Sequence, residues 1–281
     1  MVVIFALAAA VLYGTADFLG GVAARRASAI AVLSVSAPFG EMIVVIAALL
    51  AGGHIQLPGI AWGLAAGAAG GVGLLAFYAG LAAGPMSVVA PVTALAATVL
   101  PVGVAVGQGE RPDPAVVVGA VICVVAITLV SMEGGTIRFG SRQSARGLAY
   151  GLAAGIAFGL FFLFLKNAGT SGVLWPVAVS RLSGSLIALG AAALTRTRPV
   201  RLSTGRRVLT MALLSGAFDA TANISYVIAT RAGLFGLAVV ITSLYPGITV
   251  LLARLLLRER MRSVQRAGLV LAAVGVVLLT A

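Results

Sequence analysis

The sequence has very few charged residues for its length. Charged side chains make up only 9% of the 281 residues, whereas hydrophobic side chains make up 61%. Soluble domains carry about 25% charged residues, so this chain has too few charges to cover a water-facing surface. The composition therefore excludes a soluble globular enzyme, and its high hydrophobicity also excludes an intrinsically disordered protein.

Cysteine and histidine are nearly absent, with one residue of each, Cys123 and His54. A single cysteine excludes a disulfide framework and a cysteine metal cluster. A single histidine, in a predicted external loop, leaves no hydrolase triad. The chain also lacks the glycine-rich, lysine-containing loop with which ATP-driven proteins hold phosphates. We therefore expect no enzyme activity, no metal and no cofactor.

Acidic residues are scarce relative to basic ones, seven against nineteen, which gives a net charge of +12. A nucleic-acid-binding protein presents its basic residues as a patch on a folded soluble domain. Here the basic residues lie between long apolar runs. Membrane lipid, and not nucleic acid, is therefore the expected partner.

Long apolar runs fill most of the chain. A membrane-spanning helix needs about 20 mostly apolar residues, and the breaks between the runs are too short to hold a soluble domain. The sequence predicts ten spans, at residues 2–22, 29–51, 59–82, 86–107, 113–132, 146–166, 172–195, 207–230, 234–257 and 263–281.

The connections between the predicted spans carry arginine and lysine unequally. Fourteen of these residues fall on one side of the membrane and three on the side of both termini. Because cytoplasmic loops are enriched in Lys and Arg, the termini are expected to be extracytoplasmic. The basic residues are eighteen arginines and one lysine, and alanine, glycine and valine are frequent. This composition is typical of a GC-rich bacterial genome, so the expected location is the cytoplasmic (inner) membrane of a bacterium.

The two halves of the chain repeat a pattern. Residues 86–132 align with 235–281, so that Thr93 meets Thr242 and the pair Glu110-Arg111 meets Glu259-Arg260. The predicted fold is an all-α integral membrane protein, with five-helix repeats at 1–132 and 146–281 and a connecting loop at 133–145. Because each unit has an odd number of helices, the second repeat is inverted relative to the first.

Short motifs extend the pattern. The aromatic-glycine pair Tyr13-Gly14 has a counterpart in Phe158-Gly159, and a Glu-Arg turn precedes the last helix of each half. With the ten-helix topology, these features resemble the EamA-type branch of the drug/metabolite transporter superfamily. The run from Tyr13 to Gly21, followed by Arg25-Arg26, resembles a bacterial subgroup of that branch. The resemblance implies small-molecule transport, often export of amino acids, metabolites or drugs. The prolines Pro112 and Pro114 depart from the pattern and give the fifth helix an abrupt start.

Charged residues inside the spans are expensive, at about 2.5–3.5 kcal/mol each on insertion scales. They either pair structurally or line a polar cavity. The eighth span places Ser215, Asp219, Asn223 and Tyr226 on one face, at helical spacing. Several other spans also carry polar groups, which favours one central cavity. The predicted substrate or coupling residues are Tyr13, Asp17, Glu41, Arg181, Asp219, Asn223, Tyr226 and Tyr245.

A guanidinium cannot shed its charge, so Arg181 needs an anionic partner. We expect Glu41 in that role, because their spans are equivalent in the two halves, with a substrate carboxylate as the alternative. Glycines are expected to serve helix packing, above all the ridge formed by Gly147, Gly151, Gly155 and Gly159.

The sequence predicts a secondary active transporter of a small metabolite, acting as an exporter by alternating access around the central polar cavity. Protons are the expected coupling ion, with Asp219 and Glu41 as the first candidates to carry them and Asp17 as the third. The alternatives are a flippase for a lipid-linked sugar or similar amphiphile, a channel and an intramembrane enzyme. The sequence leaves open the substrate, which could be an amino acid, an organic metabolite or a drug-like compound. It also leaves open whether the protein is a monomer or a homodimer.

Overall fold

The computed structural model of the protein describes residues 1–53, 57–107, 142–167, 174–200, 205–231, 245–257 and 263–280. It also describes Thr242 and isolated positions between 114 and 129, all of which are helical. The regular secondary structure in these described residues is entirely α-helical. The predicted fifth span and the first half of the ninth lie largely outside the described residues.

The described helices follow the predicted spans closely. Six of them are long and apolar enough to cross a membrane. Large apolar side chains such as Leu50 and Leu194 are exposed on the outside of the helices. The helices are α1 (Val2–Arg26), α2 (Ala29–Ala51), α3 (Leu57–Ala83), α4 (Met86–Gly107), α5 (Arg142–Asn167), α6 (Trp175–Leu194), α7 (Arg206–Arg231), α8 (Tyr245–Leu256) and α9 (Ser263–Thr280).

Local signals set several helix ends. The Ser28 hydroxyl caps α2 by accepting a hydrogen bond from the Ala31 amide at 3.1 Å, which satisfies one of the free donors of the first turn. Gly52 ends the same helix with φ of 72°, a backbone conformation that glycine adopts without steric cost. Pro176 lies in the first turn of α6, where its missing donor costs nothing.

The glycine ridge on α5 packs against α4 along its whole length. A Cβ on Gly155 would lie 2.6 Å from the Thr93 carbonyl oxygen, and a Cβ on Gly151 would lie 3.3 Å from the Val89 carbonyl oxygen. The predicted close approach is therefore confirmed, because a side chain at Gly155 would require α4 to shift.

Two further helix crossings, α2 with α7 and α3 with α6, use the same kind of contact. In each, a glycine lies against a serine carbonyl, and a second glycine lies against the carbonyl of the first. The residues are Gly216, Ser36 and Gly40 at the α2–α7 crossing, and Gly67, Ser180 and Gly184 at the α3–α6 crossing.

Corresponding threonines make corresponding hydrogen bonds. The Thr93 hydroxyl donates to the Gly151 carbonyl of α5 at 3.0 Å, and the Thr242 hydroxyl donates to the Ala6 carbonyl of α1 at 3.5 Å. The fourth helix of one half thus contacts the first helix of the other half. The sequence match of Thr93 with Thr242 is confirmed in three dimensions.

The apolar core is split along the helices. The larger cluster, which includes Leu33, Phe77 and Leu81, lies where α1 and α3 end and α2 begins. A smaller cluster lies toward the other end of α2 and includes Val44 and Val177. On α2, the buried Glu41 lies between the residues that belong to these two clusters.

Candidate functional site

The centre of the bundle contains an ion pair between α6 and α7. Arg181 Nη1 donates to Asp219 Oδ2 at 2.5 Å, and the two side chains are 15% and 23% exposed. The expectation that Glu41 is the direct partner of Arg181 is therefore wrong. A second expectation, that Arg181 pairs inside the protein, holds for this state of the molecule.

The reason lies in the rotation of α2, which packs against both α6 and α7. Gly40 is the residue that faces the guanidinium, because a Cβ placed there would lie 2.6 Å from Arg181 Nη2. Successive residues on a helix are rotated by about 100°, so Glu41 projects in a different direction. The bare glycine lets the arginine side chain pass over α2 to reach Asp219.

Glu41 is buried beside this pair but is not hydrogen-bonded to it. The residue is 8% exposed, and its Oε2 has no hydrogen-bond partner in the described part of the chain. It still lies close enough to Arg181 for the two charges to interact. Arg181 Nε and Ser185 Oγ are likewise buried and without a partner among the described residues.

A hydrogen-bond chain ties three helices together next to the ion pair. The Tyr78 hydroxyl of α3 lies 2.6 Å from Ser215 Oγ of α7, and Ser215 Oγ donates to the Ala16 carbonyl of α1 at 2.9 Å. Since Ser215 uses its proton on Ala16, Tyr78 is the donor to Ser215. Gly20 makes room for the tyrosine ring.

Tyr78 was not among the residues predicted for the site. No periodic pattern marks it, because it lies in a helix of glycine, alanine and leucine with an aromatic neighbour, Phe77. Tyr78 is identified by its contact with Gly20 of α1. Residue spacing within one helix does not predict a contact between two helices.

Asp17 and two tyrosines line the neighbouring part of α1. Asp17 is buried, with 9% exposed, and lies within electrostatic range of Asp219. The rings of Tyr13 and Tyr245 contact each other with centroids 5.9 Å apart. Tyr13 also interacts electrostatically with Asp219 and Arg181. The structure thus brings most of the predicted side chains into one region.

The two predicted residues farther along α7 are placed differently. Asn223 Nδ2 donates to the Asp219 carbonyl of its own helix at 2.8 Å, so its amide is engaged with backbone. Tyr226 lies near Tyr13 and joins the aromatic side of the cluster.

The resulting charge balance is uneven. Asp219 and Glu41 both lie near the Arg181 guanidinium, and the third carboxyl group, that of Asp17, lies within electrostatic range of Asp219. One carboxylate offsets the arginine, and two remain. Within the described residues, no group of three or more His, Cys, Asp and Glu side chains is arranged to hold a metal ion.

Comparisons with known proteins point in one direction. The sequence profile of the EamA-like transporter family matches residues 1–132 and again residues 145–281. A solved crystal structure has the same fold, with a TM-score of 0.67 over 99% of this chain and 94% of the other, at 17% identity. A search of curated proteins finds no match.

Proposed function

Because the chain belongs to the EamA-like transporter family, we propose that it is a secondary active exporter of a small organic solute in the cytoplasmic membrane of a bacterium. Membership of the family makes it a multi-pass membrane transporter of the drug/metabolite superfamily. The exporter direction and the bacterial location rest on the sequence arguments given above.

The observation that supports this proposal best is the buried polar region around the Arg181–Asp219 pair. Ionisable side chains within membrane spans are expensive and typically mark substrate or ion pathways. A purely structural pair would need one acid for one base, yet Asp17 and Glu41 are present in addition. The surplus carboxyl groups are available for a solute or a proton.

Alternating access would follow from two inverted five-helix repeats that rock about this region. The matching hydrogen bonds of Thr93 and Thr242 and the matching glycine crossings support a two-fold arrangement. In both crossings the backbones contact each other through glycine, so the surfaces are smooth enough for one helix pair to slide on the other.

Proton coupling is part of the proposal, and the geometry changes the order of the candidates. Asp219 neutralises Arg181 and would have to give up that partner before taking up a proton. Glu41 has a carboxylate oxygen without a hydrogen-bond partner among the described residues and becomes the first candidate, followed by Asp17.

Reconstituted vesicles test this function directly. Liposomes are loaded with a pH-sensitive dye and prepared with an interior more acidic than the outside. This pH gradient should collapse when a transported solute is added outside, because protons leave as the solute enters. Amino acids, organic acids, amines and cationic drugs are added one at a time. Wild type should respond to at least one class, and Glu41→Gln should lose the response while still inserting. Passive conductance of solute without counterflow would contradict a transporter and favour a channel.

The orientation has its own test. In a Cys123→Ala background, single cysteines are placed at His54 and Ser141, in predicted loops on opposite sides of the membrane. An impermeant thiol reagent added to intact cells should label the His54 position only, because arginine-rich loops stay in the cytoplasm. Labelling at Ser141 alone would reverse the orientation and leave the family assignment intact.

A further inference from the structure

Three buried polar atoms beside the ion pair lack a hydrogen-bond partner among the described residues. They are Glu41 Oε2 on α2, and Arg181 Nε and Ser185 Oγ on α6. Buried polar groups are nearly always hydrogen-bonded, so each exception needs an explanation. Arg181 and Ser185 are four residues apart and share one face of α6, and Arg181 interacts electrostatically with Glu41. The three atoms therefore belong to one region of the α2–α6 interface.

Ser185 differs from comparable hydroxyl residues of the same bundle. Ser180, five residues earlier on α6, donates to the Val177 carbonyl at 2.8 Å, and Ser225 donates to the Thr221 carbonyl at 2.8 Å. Such bonds to the residue's own helix are the usual way in which serine satisfies its hydroxyl in a helix. Ser185 is only 5% exposed and makes no such bond, so its hydroxyl remains available for a group from outside the chain.

The charges select the kind of group. Asp219 already offsets the positive charge of Arg181, which leaves the carboxylate of Glu41 without a balancing charge among the described residues. An anionic solute would add a second negative charge in a place of low dielectric, whereas an ammonium group would balance the existing one. The free N–H of Arg181 and the hydroxyl of Ser185 are donors, and they require an acceptor on the same solute.

We propose that Glu41, Arg181 and Ser185 recognise a cationic solute that carries an ammonium group and an oxygen acceptor a few atoms away. Glu41 Oε2 accepts a hydrogen bond from the ammonium group, and Arg181 Nε and Ser185 Oγ donate to the oxygen. Amino amides and amino alcohols have this chemistry. This inference deepens the proposed function, because it names the solute class for the same polar region.

The same chemistry also occurs in the headgroup of ethanolamine lipids, so the experiment includes both sources. Purified protein in detergent is dialysed to equilibrium against radiolabelled phenylalaninamide. The competitors are 3-phenylpropionamide, which lacks the ammonium group, phenethylammonium, which lacks the amide oxygen, and a short-chain phosphatidylethanolamine. Binding is measured for wild type, Glu41→Gln, Ser185→Ala and the matched control Ser180→Ala.

Wild type should bind phenylalaninamide saturably, and 3-phenylpropionamide should compete at least about tenfold more weakly, because it lacks a charge-assisted hydrogen bond. Glu41→Gln should weaken binding by about tenfold or more. Ser185→Ala should weaken binding of phenylalaninamide and leave phenethylammonium unchanged, since only the former has the oxygen. Ser180→Ala should bind like wild type. Strong competition by the lipid would identify a headgroup, and its absence would identify a soluble solute.

Absence of saturable binding to wild type would overturn the inference, as would equal binding by Glu41→Gln or equal competition by 3-phenylpropionamide. If Ser185→Ala bound phenylalaninamide as tightly as wild type, Ser185 would not be part of the site. The assay requires no transport, so a protein that moves solutes in vesicles but binds no ammonium compound refutes this inference and leaves the proposed function standing. Saturable binding of the ammonium compound without any transport would support this inference and refute the proposed function.

Discussion

Removal of both members of the Arg181–Asp219 pair should destabilise the protein by less than the sum of the two single removals. With Nη1 and Oδ2 at 2.5 Å, the charge centres lie about 4 Å apart, and an effective dielectric constant of 20 gives about 4 kcal/mol of attraction. The side chains are 15% and 23% exposed, and the structure records one hydrogen bond between them and not two. We therefore expect a coupling of about 2 kcal/mol, below the roughly 3–5 kcal/mol that breaking a fully buried pair costs.

The two single variants should differ from each other. Arg181→Gln leaves Asp219, which can neutralise itself by taking up a proton, and should cost about 2 kcal/mol. Asp219→Asn leaves a guanidinium that cannot lose its charge and should cost about 3 kcal/mol. The double variant should cost about 3 kcal/mol, less than the sum of the two, because no uncompensated charge remains.

The assay is urea unfolding in detergent micelles, followed by tryptophan fluorescence, for wild type, both single variants and the double variant. Distant and independent sites have additive costs to within about 0.5 kcal/mol. Additivity of the two single costs within that margin would refute the interpretation of this contact as an energetically coupled ion pair. A double variant more damaged than the sum would refute it as well.

Two further substitutions test the geometry around the pair. Gly40→Ala should destabilise the protein by about 1–3 kcal/mol in the same unfolding assay, because its Cβ would lie 2.7 Å from the Gly216 carbonyl oxygen of α7 and force a shift in a packed crossing. Gly190→Ala, on α6, should be neutral or stabilising, because its Cβ would have no described atom within 4 Å. Equal costs at the two glycines would contradict the packing argument. Tyr78→Phe should cost about 1 kcal/mol, because it removes the hydrogen bond to Ser215, and an unfolding midpoint equal to that of wild type would show that this bond contributes nothing.

The helices were predictable because a chain in lipid has to satisfy its backbone internally, so long apolar runs become continuous helices. The observed helix ends differ from the predicted ends of the spans where side chains beyond the apolar run form hydrogen bonds. The first span was predicted to end at residue 22, but α1 continues to Arg26. Arg25 Nε donates to the Leu81 carbonyl at 2.8 Å and Nη2 to the Gly84 carbonyl at 3.0 Å. These bonds at the end of α3 hold the last turn of α1 in place.

The composition of the polar site could be predicted, but its pairing could not. The free-energy cost of a charged side chain within the membrane is enough to mark four residues as unusual, namely Asp17, Glu41, Arg181 and Asp219. Repeat symmetry correctly predicts that α2 lies beside α6. It does not determine the rotation of each helix about its own axis, and that rotation places Gly40, not Glu41, opposite the guanidinium. Tyr78 was missed for the same reason, since its partner depends on how three helices cross.

The two halves make the same backbone contacts at these crossings, but the side chains beside those contacts differ. The α2 sequence from Ser36 to Glu41 and the α6 sequence from Ser180 to Ser185 share a serine followed four residues later by a glycine. In both crossings these two residues contact a glycine of the opposing helix. The side chains around them differ. An acid follows the glycine on α2, whereas α6 has arginine directly after its serine and a second serine after its glycine.

This division has a consequence for transport. A symmetric pair of acids at the two crossings would form two equal sites with a strong mutual repulsion, and a symmetric pair of arginines would do the same with opposite sign. One arginine near two acids concentrates the charge imbalance at the α2–α6 contact, where Glu41 Oε2 has no hydrogen-bond partner among the described residues. Under the proposed alternating access, the matching glycine contacts would let both halves move alike, and the unlike side chains would give the transporter a single solute-binding site.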